Sequence, residues 1–381
     1  MKQGDGRAKL TLGSNGERRA EDKKIRPIRR ESWPLRSVFK ENDFSYVDDI
    51  ARERKSTNIG RKGFRGSALF SALLFMYLRG IDSILSLVRF LDKHPEWVRF
   101  LGLRRGTRDG IAYVVPDRTT FNHFVKRLGP ELIAEILVRA TIQLMGKEII
   151  RGRSISLDCT TIWAWFKDGK GKKRKSRDRD AGWTYDSYRE MYVYGYKIHI
   201  LLDVDTGLPI GIKVTRANYG ENRTLIPFVD LIAHRYPIDV ENFLADAAYD
   251  GNKSRLRIIN RLEAVPYIKL NPRNCKGKNE KEKMARRKKL CERFYRKNFV
   301  HSYWIDPDDH DFVQTFKART FSEQGFSISK GALALDIYRH RGIVWATMHA
   351  VLVCVGMLAV ANTAVIVGRP ELKRCIKCFV N

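Results

Sequence analysis

The period of apolar residues changes near Ile150. Before it, apolar positions recur at helical spacing. Ser67 to Leu78 (SALFSALLFMYL) and Ile81 to Leu91 (IDSILSLVRFL) read as two apolar helices divided by Arg79-Gly80. A third helix opens after Pro116-Asp117, with Thr119 or Thr120 near its cap. It runs through Phe121, Phe124, Val125 and Leu128 until Gly129-Pro130 stops it, and another reaches to around Gly146. Short helices split by tight turns, with Arg118, Lys126 and Arg127 on the polar side, suit a helix-turn-helix module and equally a plain helical bundle. Residues 1–45 lack apolar periodicity and read as a basic arm, mobile until it meets an acidic partner.

Past Ile150 the pattern is that of strands. Ser154 to Thr161 alternates around Leu157. Tyr194 to Val204 and Pro209 to Ala217 form a hairpin through Asp205-Thr206-Gly207. A helix over Thr224 to Arg235 follows, then a short strand, Asn242 to Ala245, running into Asp246. A helix from Asn252 to Glu263, a strand over Val265 to Leu270 and a helix over Phe316 to Lys330 complete the series. The order predicts an α/β domain over 151–368, a mixed sheet covered by helices, after an all-helical region over 46–150 and before a tail, 369–381. Gly342 to Gly368 carries no charge and is long enough to span a bilayer. Its Thr347, His349, Asn362 and Thr363, and the absence of a second such span, point instead to a helix buried under the sheet and to no membrane partner.

Charge narrows the function. The 72 Lys and Arg against 43 Asp and Glu leave +29 over 381 residues. That excess argues for a polyanionic partner, with nucleic acid ahead of a membrane surface. Two runs concentrate it. Lys167 to Arg179, which includes Lys172, Lys173, Arg174 and Lys175, has eight cations and two Asp; Lys276 to Lys297 has eleven and three Glu, within a short basic insertion over 271–315. Solvated loops are one reading, and sequence-independent phosphate contact the other. The six cysteines show no disulfide framework, so reduced thiols are expected, and the lone pair Cys375 and Cys378 lacks partners for a zinc site. The first thirty residues are polar and contain no signal-peptide core, which predicts a cytoplasmic, nucleoid-associated chain.

Candidate chemistry rests on carboxylates. Asp158 and Asp246 fall on or at the ends of strands, where an acid among apolar neighbours is costly unless paired or metal-bound. On a continuous helix over 316–330, Phe316, Arg319, Glu323 and Lys330 share one face. Such a face suits metal and phosphate chemistry, and also an ordinary solvated Arg–Glu pair. Asp250, in a Gly251 turn, competes with Asp246 but reads as a turn residue. His199, between Ile198 and Ile200, reads as structural, and Trp163 and Trp165 as core packing rather than base-stacking groups.

Three blocks together carry a resemblance: Ser156-Leu157-Asp158-Cys159-Thr160, Leu244-Ala245-Asp246-Ala247-Ala248-Tyr249-Asp250, and the Phe316, Arg319, Glu323, Lys330 spacing. Over residues 65–365 the chain resembles the insertion-sequence DDE transposases of bacteria and archaea, departing from their Tyr-Arg-Glu-Lys signature only in Phe316. Gly195 to His199 and Pro116 to Phe121 are also similar to family blocks. The resemblance implies an RNase H-like catalytic domain that cleaves transposon ends and joins 3′ ends to target DNA. It implies Asp158, Asp246 and Glu323 as ligands of two Mg²⁺ ions, with Mn²⁺ as a substitute, and Asp158 bridging them. Arg319 and Lys330 would hold phosphates of double-stranded DNA, and the enzyme would act as a homo-oligomer.

Overall fold

The two residues after Lys317 decide how the C-terminal half is arranged. Ala318 and Arg319 both donate backbone hydrogen bonds three residues back, to Thr315 and Phe316, at 3.1 Å each. The tightening ends one helix and starts another, so the expected continuous helix is two. Phe316 closes the first and Arg319 sits at the start of the second.

The computed structural model describes residues 35–53, 63–107, 110–164, 178–186 and 190–380. In chain order, the N-terminal part comprises α1 (Leu35–Lys40), α2 (Tyr46–Arg52), α3 (Gly66–Leu78), α4 (Ile84–Lys93) and α5 (Pro95–Phe100). The strands β1 (Arg104–Thr107) and β2 (Gly110–Tyr113) follow, then α6 (Arg118–Met145). The sheet part holds β3 (Ser154–Trp163), β4 (Gly182–Asp186), β5 (Met191–Asp203), β6 (Pro209–Arg216), α7 (Asn222–Arg235), β7 (Asn242–Ala245), α8 (Asn252–Leu262) and β8 (Val265–Ile268). Then come α9 (Glu280–Lys297), α10 (His310–Lys317), α11 (Thr320–Leu333), α12 (Ile343–Ile366) and α13 (Lys377–Val380).

The N-terminal part departs from expectation in two ways. It is not all helical, because β1 and β2 form a two-stranded antiparallel ribbon with Arg104 opposite Tyr113. Gly110 opens β2 at φ 121°, a backbone conformation that favours glycine. The two helices expected around Gly129-Pro130 are both there: α6 is divided at Gly129, whose φ of 71° lies outside helical geometry. Asp117 caps it by accepting from the Thr120 amide at 2.9 Å, which leaves Thr119 and Thr120 beside the cap as read. And α1 falls inside the stretch read as a mobile arm, with Leu35 and Val38 buried.

The sheet has six strands, in the order β4-β5-β3-β7-β8, with β6 also on β5. β3, β5 and β6 are antiparallel neighbours, while β7 and β8 add in parallel on the other side of β3. That arrangement, helices covering an antiparallel meander extended by parallel strands, is RNase H-like. Gly207, at φ 66°, closes the β5–β6 turn as its chemistry predicts, and Asp203 holds it by accepting from the amides of Thr206 and Gly152 at 3.1 Å each.

α12 is the one helix among the described residues long and apolar enough to cross a membrane, and it is buried as expected. It packs on α6, α3 and β6. The polar side chains that argued for a core position are satisfied inside the protein. His349 meets Tyr77 Oη at 2.7 Å and the Leu335 carbonyl at 2.8 Å; Asn362 donates to the Glu41 carbonyl at 2.8 Å and accepts from Lys147 Nζ at 2.9 Å. Thr347 and Thr363 donate to carbonyls four residues back, at 2.8 Å each.

Two further expectations are corrected. Cys375 and Cys378 are joined in a disulfide rather than reduced, because the turn between them brings their Cα atoms to 5.5 Å; Cys159, Cys275, Cys291 and Cys354 are free. Trp163 is 46% exposed instead of core, since it ends β3 opposite Gly195, which has no side chain to cover it. Trp165 lies outside the described residues.

Candidate active site

Strand register brings the two aspartates together. In the parallel pair β3–β7, Leu157 lies opposite Ala245, so Asp158 and Asp246 follow at adjacent positions where the strands end their pairing. Asp158 is 18% exposed; its Oδ1 accepts from the Cys159 amide at 2.8 Å, and its Oδ2 lies 2.9 Å from Arg319 Nη2. Asp246 is 47% exposed, its Oδ1 accepting from the Ala247 amide at 2.6 Å and lying 4.0 Å from Arg319 Nη1. One guanidinium therefore spans both carboxylates. Burial pushes the Asp158 carboxyl above the usual range; Arg319 and the Cys159 amide oppose that without cancelling it.

Arg319 is held on its other side by an aromatic ring. Its guanidinium carbon is 5.7 Å from the Phe316 centroid, and Lys269 Nζ is 4.7 Å from the same centroid. Where the family signature has Tyr, this chain has a ring that two cations face. Lys269, at the end of the β8 stretch, is a site residue that sequence reasoning missed. Its only signal was position after the strand that follows Asp246.

Glu323 lies on α11; its side chain is outside the described residues. The helix itself is closely seated. A Cβ added at Gly325 would come within 2.8 Å of the Gly207 carbonyl oxygen, so α11 rests directly on the β5–β6 turn. Lys330 is an exposed residue in the last turn of α11, and Arg118 is exposed at the first position of α6. Lys172, Lys173, Arg174 and Lys175 lie outside the described residues.

Asp250 is more than a turn residue. It is 1% exposed and forms ion pairs with Arg255 at 3.0 Å and Arg287 at 2.9 Å, and accepts from the Asn271 amide at 2.8 Å. Burial alone would raise its carboxyl; Arg255, Arg287 and the amide outweigh that and hold it below the usual range. Arg287 comes from α9, so part of the second basic run is spent inside the protein. Lys288 is likewise engaged with Asp306 at 2.6 Å and Asp308 at 2.7 Å. His199 is structural, as read: buried between Tyr249 Oη at 3.1 Å and Thr215 Oγ1 at 3.0 Å, it is pulled down to about 3 by burial and the charges of Lys197 and Lys213.

Among the described residues, no three His, Cys, Asp or Glu side chains converge as a metal site. Asp158 and Asp246 nevertheless fit a hard divalent cation. Both offer carboxylate oxygens, and both already face a single positive group, Arg319, which stands where such an ion's charge would be needed.

The sheet sets Asp158, midway along β3, beside Asp246, just past the end of β7, an acidic pair suited to a polynucleotidyl transferase of the DDE type. Comparison with known families agrees. The family described as the transposase DDE domain matches residues 161–355, and a second transposase domain matches residues 22–127. The chain belongs to the DDE transposases, metal-dependent enzymes that act on DNA. Asp246 and Glu323 lie within the first matched stretch, and Asp158 just before it. A comparison with curated protein sequences finds no match. Among solved structures, the chain is similar to a piggyBac transposase in a synaptic complex with hairpin DNA, at 12% identity and a TM-score of 0.30, covering 92% of this chain and 86% of that one.

Proposed function

We propose that this transposase cuts phosphodiester bonds at the ends of its element and joins the 3′ ends to target DNA, with Asp158, Asp246 and Glu323 as metal ligands. The observation that carries the site is the shared guanidinium: two carboxylates from neighbouring strands face one cation. Bound divalent ions, two Mg²⁺ in this reading with Mn²⁺ as a substitute, would activate the attacking oxygen and stabilise the leaving one.

The chain's own residues do the positioning. Asp158, central in the sheet, is held by the Cys159 amide and would face both ions; Asp246, more exposed, would face one. The helix that carries Glu323, α11, is seated on the β5–β6 turn through Gly325 and Gly207. With a divalent cation held by the aspartates, Arg319 would be free to fork onto a phosphate, kept at the site by the Phe316 ring. Lys330, Arg118 and the basic run containing Lys172, Lys173, Arg174 and Lys175 would bind backbone phosphates of double-stranded DNA without reading its sequence. The enzyme would work as a homo-oligomer on paired ends, in the cytoplasm at the nucleoid.

Amide substitutions test this. Asp158→Asn, Asp246→Asn and Glu323→Gln should each abolish cleavage of cognate end DNA while end binding survives, because an amide keeps the shape and loses the charge. Normal cleavage by any one would remove that residue from the ligand set.

A further inference from the structure

Asp246 stands one residue beyond Ala245, where the pairing of β7 with both its neighbours stops. Its place is set instead by the 3-10 turn that follows, Ala247–Tyr249. The Tyr249 amide donates to the Asp246 carbonyl at 3.0 Å and closes that turn. The Tyr249 side chain then runs into the protein and is 0% exposed. Its hydroxyl lies 3.1 Å from His199 Nδ1 and also hydrogen-bonds the Cys159 thiol.

The position of those two partners gives the contact its meaning. Cys159 follows Asp158 on β3, and His199 is its register partner on β5. Side chains alternate along a strand, so Cys159 faces away from Asp158, and Tyr249 meets it on the far side of the sheet. His199 is itself fixed. Besides Thr215 on β6, its Nδ1 has Thr224 Oγ1 of α7 at 3.4 Å, and that hydroxyl donates to the Glu221 carbonyl at 2.7 Å. One phenol therefore ties the Asp246 turn to the strand that carries Asp158. A core ring needs no hydroxyl to fill space, and burying one is unfavourable unless it is bonded. Both bonds described here go to the β3–β5 pair at the level of Asp158.

We propose that Tyr249 is a positioning residue that sets the separation of Asp158 and Asp246 for a divalent cation. This rests on the metal-ligand reading given above, and adds to it the group that holds the two ligands in relation. Carboxylates serve a metal only when held to within about 0.5 Å, and loss of an outer partner costs about 10–100-fold in metal affinity.

The test is calorimetric titration of Mn²⁺ into the full-length chain without DNA, with the melting temperature measured alongside. Tyr249→Phe keeps the ring and removes the hydroxyl. Tyr236→Phe is the control, because that hydroxyl is also buried but donates to the Ile210 carbonyl on β6. Both variants should lower the melting temperature, whereas Tyr249→Phe alone should weaken Mn²⁺ binding, by about tenfold or more. Cys159→Ala cuts one of the two bonds and leaves the phenol in place. It should weaken binding in the same direction by less, and it carries the test if Tyr249→Phe does not fold. Wild-type Mn²⁺ affinity in Tyr249→Phe (or, failing its folding, in Cys159→Ala) overturns the proposal, as does an equal loss in Tyr236→Phe. Asp246→Asn separates this from the reading beneath it. If that variant binds Mn²⁺ as the wild type does, the ligand assignment fails and takes this proposal with it. If it loses binding while Tyr249→Phe is unaffected, only the role of Tyr249 falls.

Discussion

Arg319 Nη2 lies 2.9 Å from Asp158 Oδ2, and this pair sets the protonation of the candidate site. Burial raises the Asp158 carboxyl, and Arg319 is the largest influence pulling it back. Metal binding needs the ionised carboxylate. Arg319→Ala should therefore raise the Asp158 pKa further and move the acid limb of the pH–rate profile to higher pH, besides lowering the rate. An acid limb that stays in place would show that the guanidinium does not govern this carboxylate.

Asp250 binds two arginines inside the protein. Removing its charge leaves Arg255, 3% exposed, without its ion-pair partner. Asp250→Asn should cost about 3 kcal/mol in denaturant unfolding. Its carboxyl is depressed in the folded state, so its contribution is present above the unfolded value and lost as pH falls through the folded one. At a temperature where the variant stays folded, cleavage should survive; a folded but inactive variant would make Asp250 part of the catalytic set.

Gly325 and Gly331 share α11 but differ in their surroundings. An added Cβ at Gly325 meets the Gly207 carbonyl at 2.8 Å, whereas one at Gly331 meets nothing within 4 Å. Gly325→Ala should shift α11 and cut cleavage by about tenfold or more, equivalent to about 1.4 kcal/mol of barrier. Gly331→Ala should leave cleavage intact and raise stability by roughly 0.5–1 kcal/mol through helix propensity. Equal activity in the two variants would detach the seat of α11 from the chemistry.

Three histidines are held neutral by burial: His199, pulled down to about 3, and His340 and His349, each to about 4. Each has a depressed folded-state pKa, so its stabilising contribution is complete above the unfolded value, about 6.5. It is lost as pH falls from there toward the folded values. Denaturant midpoints should be flat above pH of about 7 and decline below about 6.5, by up to roughly 1.4 kcal/mol per histidine per pH unit. A midpoint unchanged down to a pH of about 5 would mean that these rings gain a proton without cost.

The sequence by itself determined the elements whose causes are local. Period-two alternation marked β3, the Asp205-Thr206-Gly207 turn marked the β5–β6 hairpin, and unbroken apolarity marked α12. Asp158, Asp246 and Glu323 stood out as candidates because each falls on a strand, just past one or on a helix within a family-like block. What only the tertiary structure decided depends on partners distant in sequence. Asp250 looks like a turn residue until Arg287, 37 positions later, reaches it. Phe316 looks like a lost hydroxyl until Lys269 and Arg319 close on its ring. The break after Lys317 follows from how helices must bend and pack to cover one sheet. Local propensity carries no record of that packing, so a chain read residue by residue shows which groups can do chemistry and leaves to the fold which of them meet.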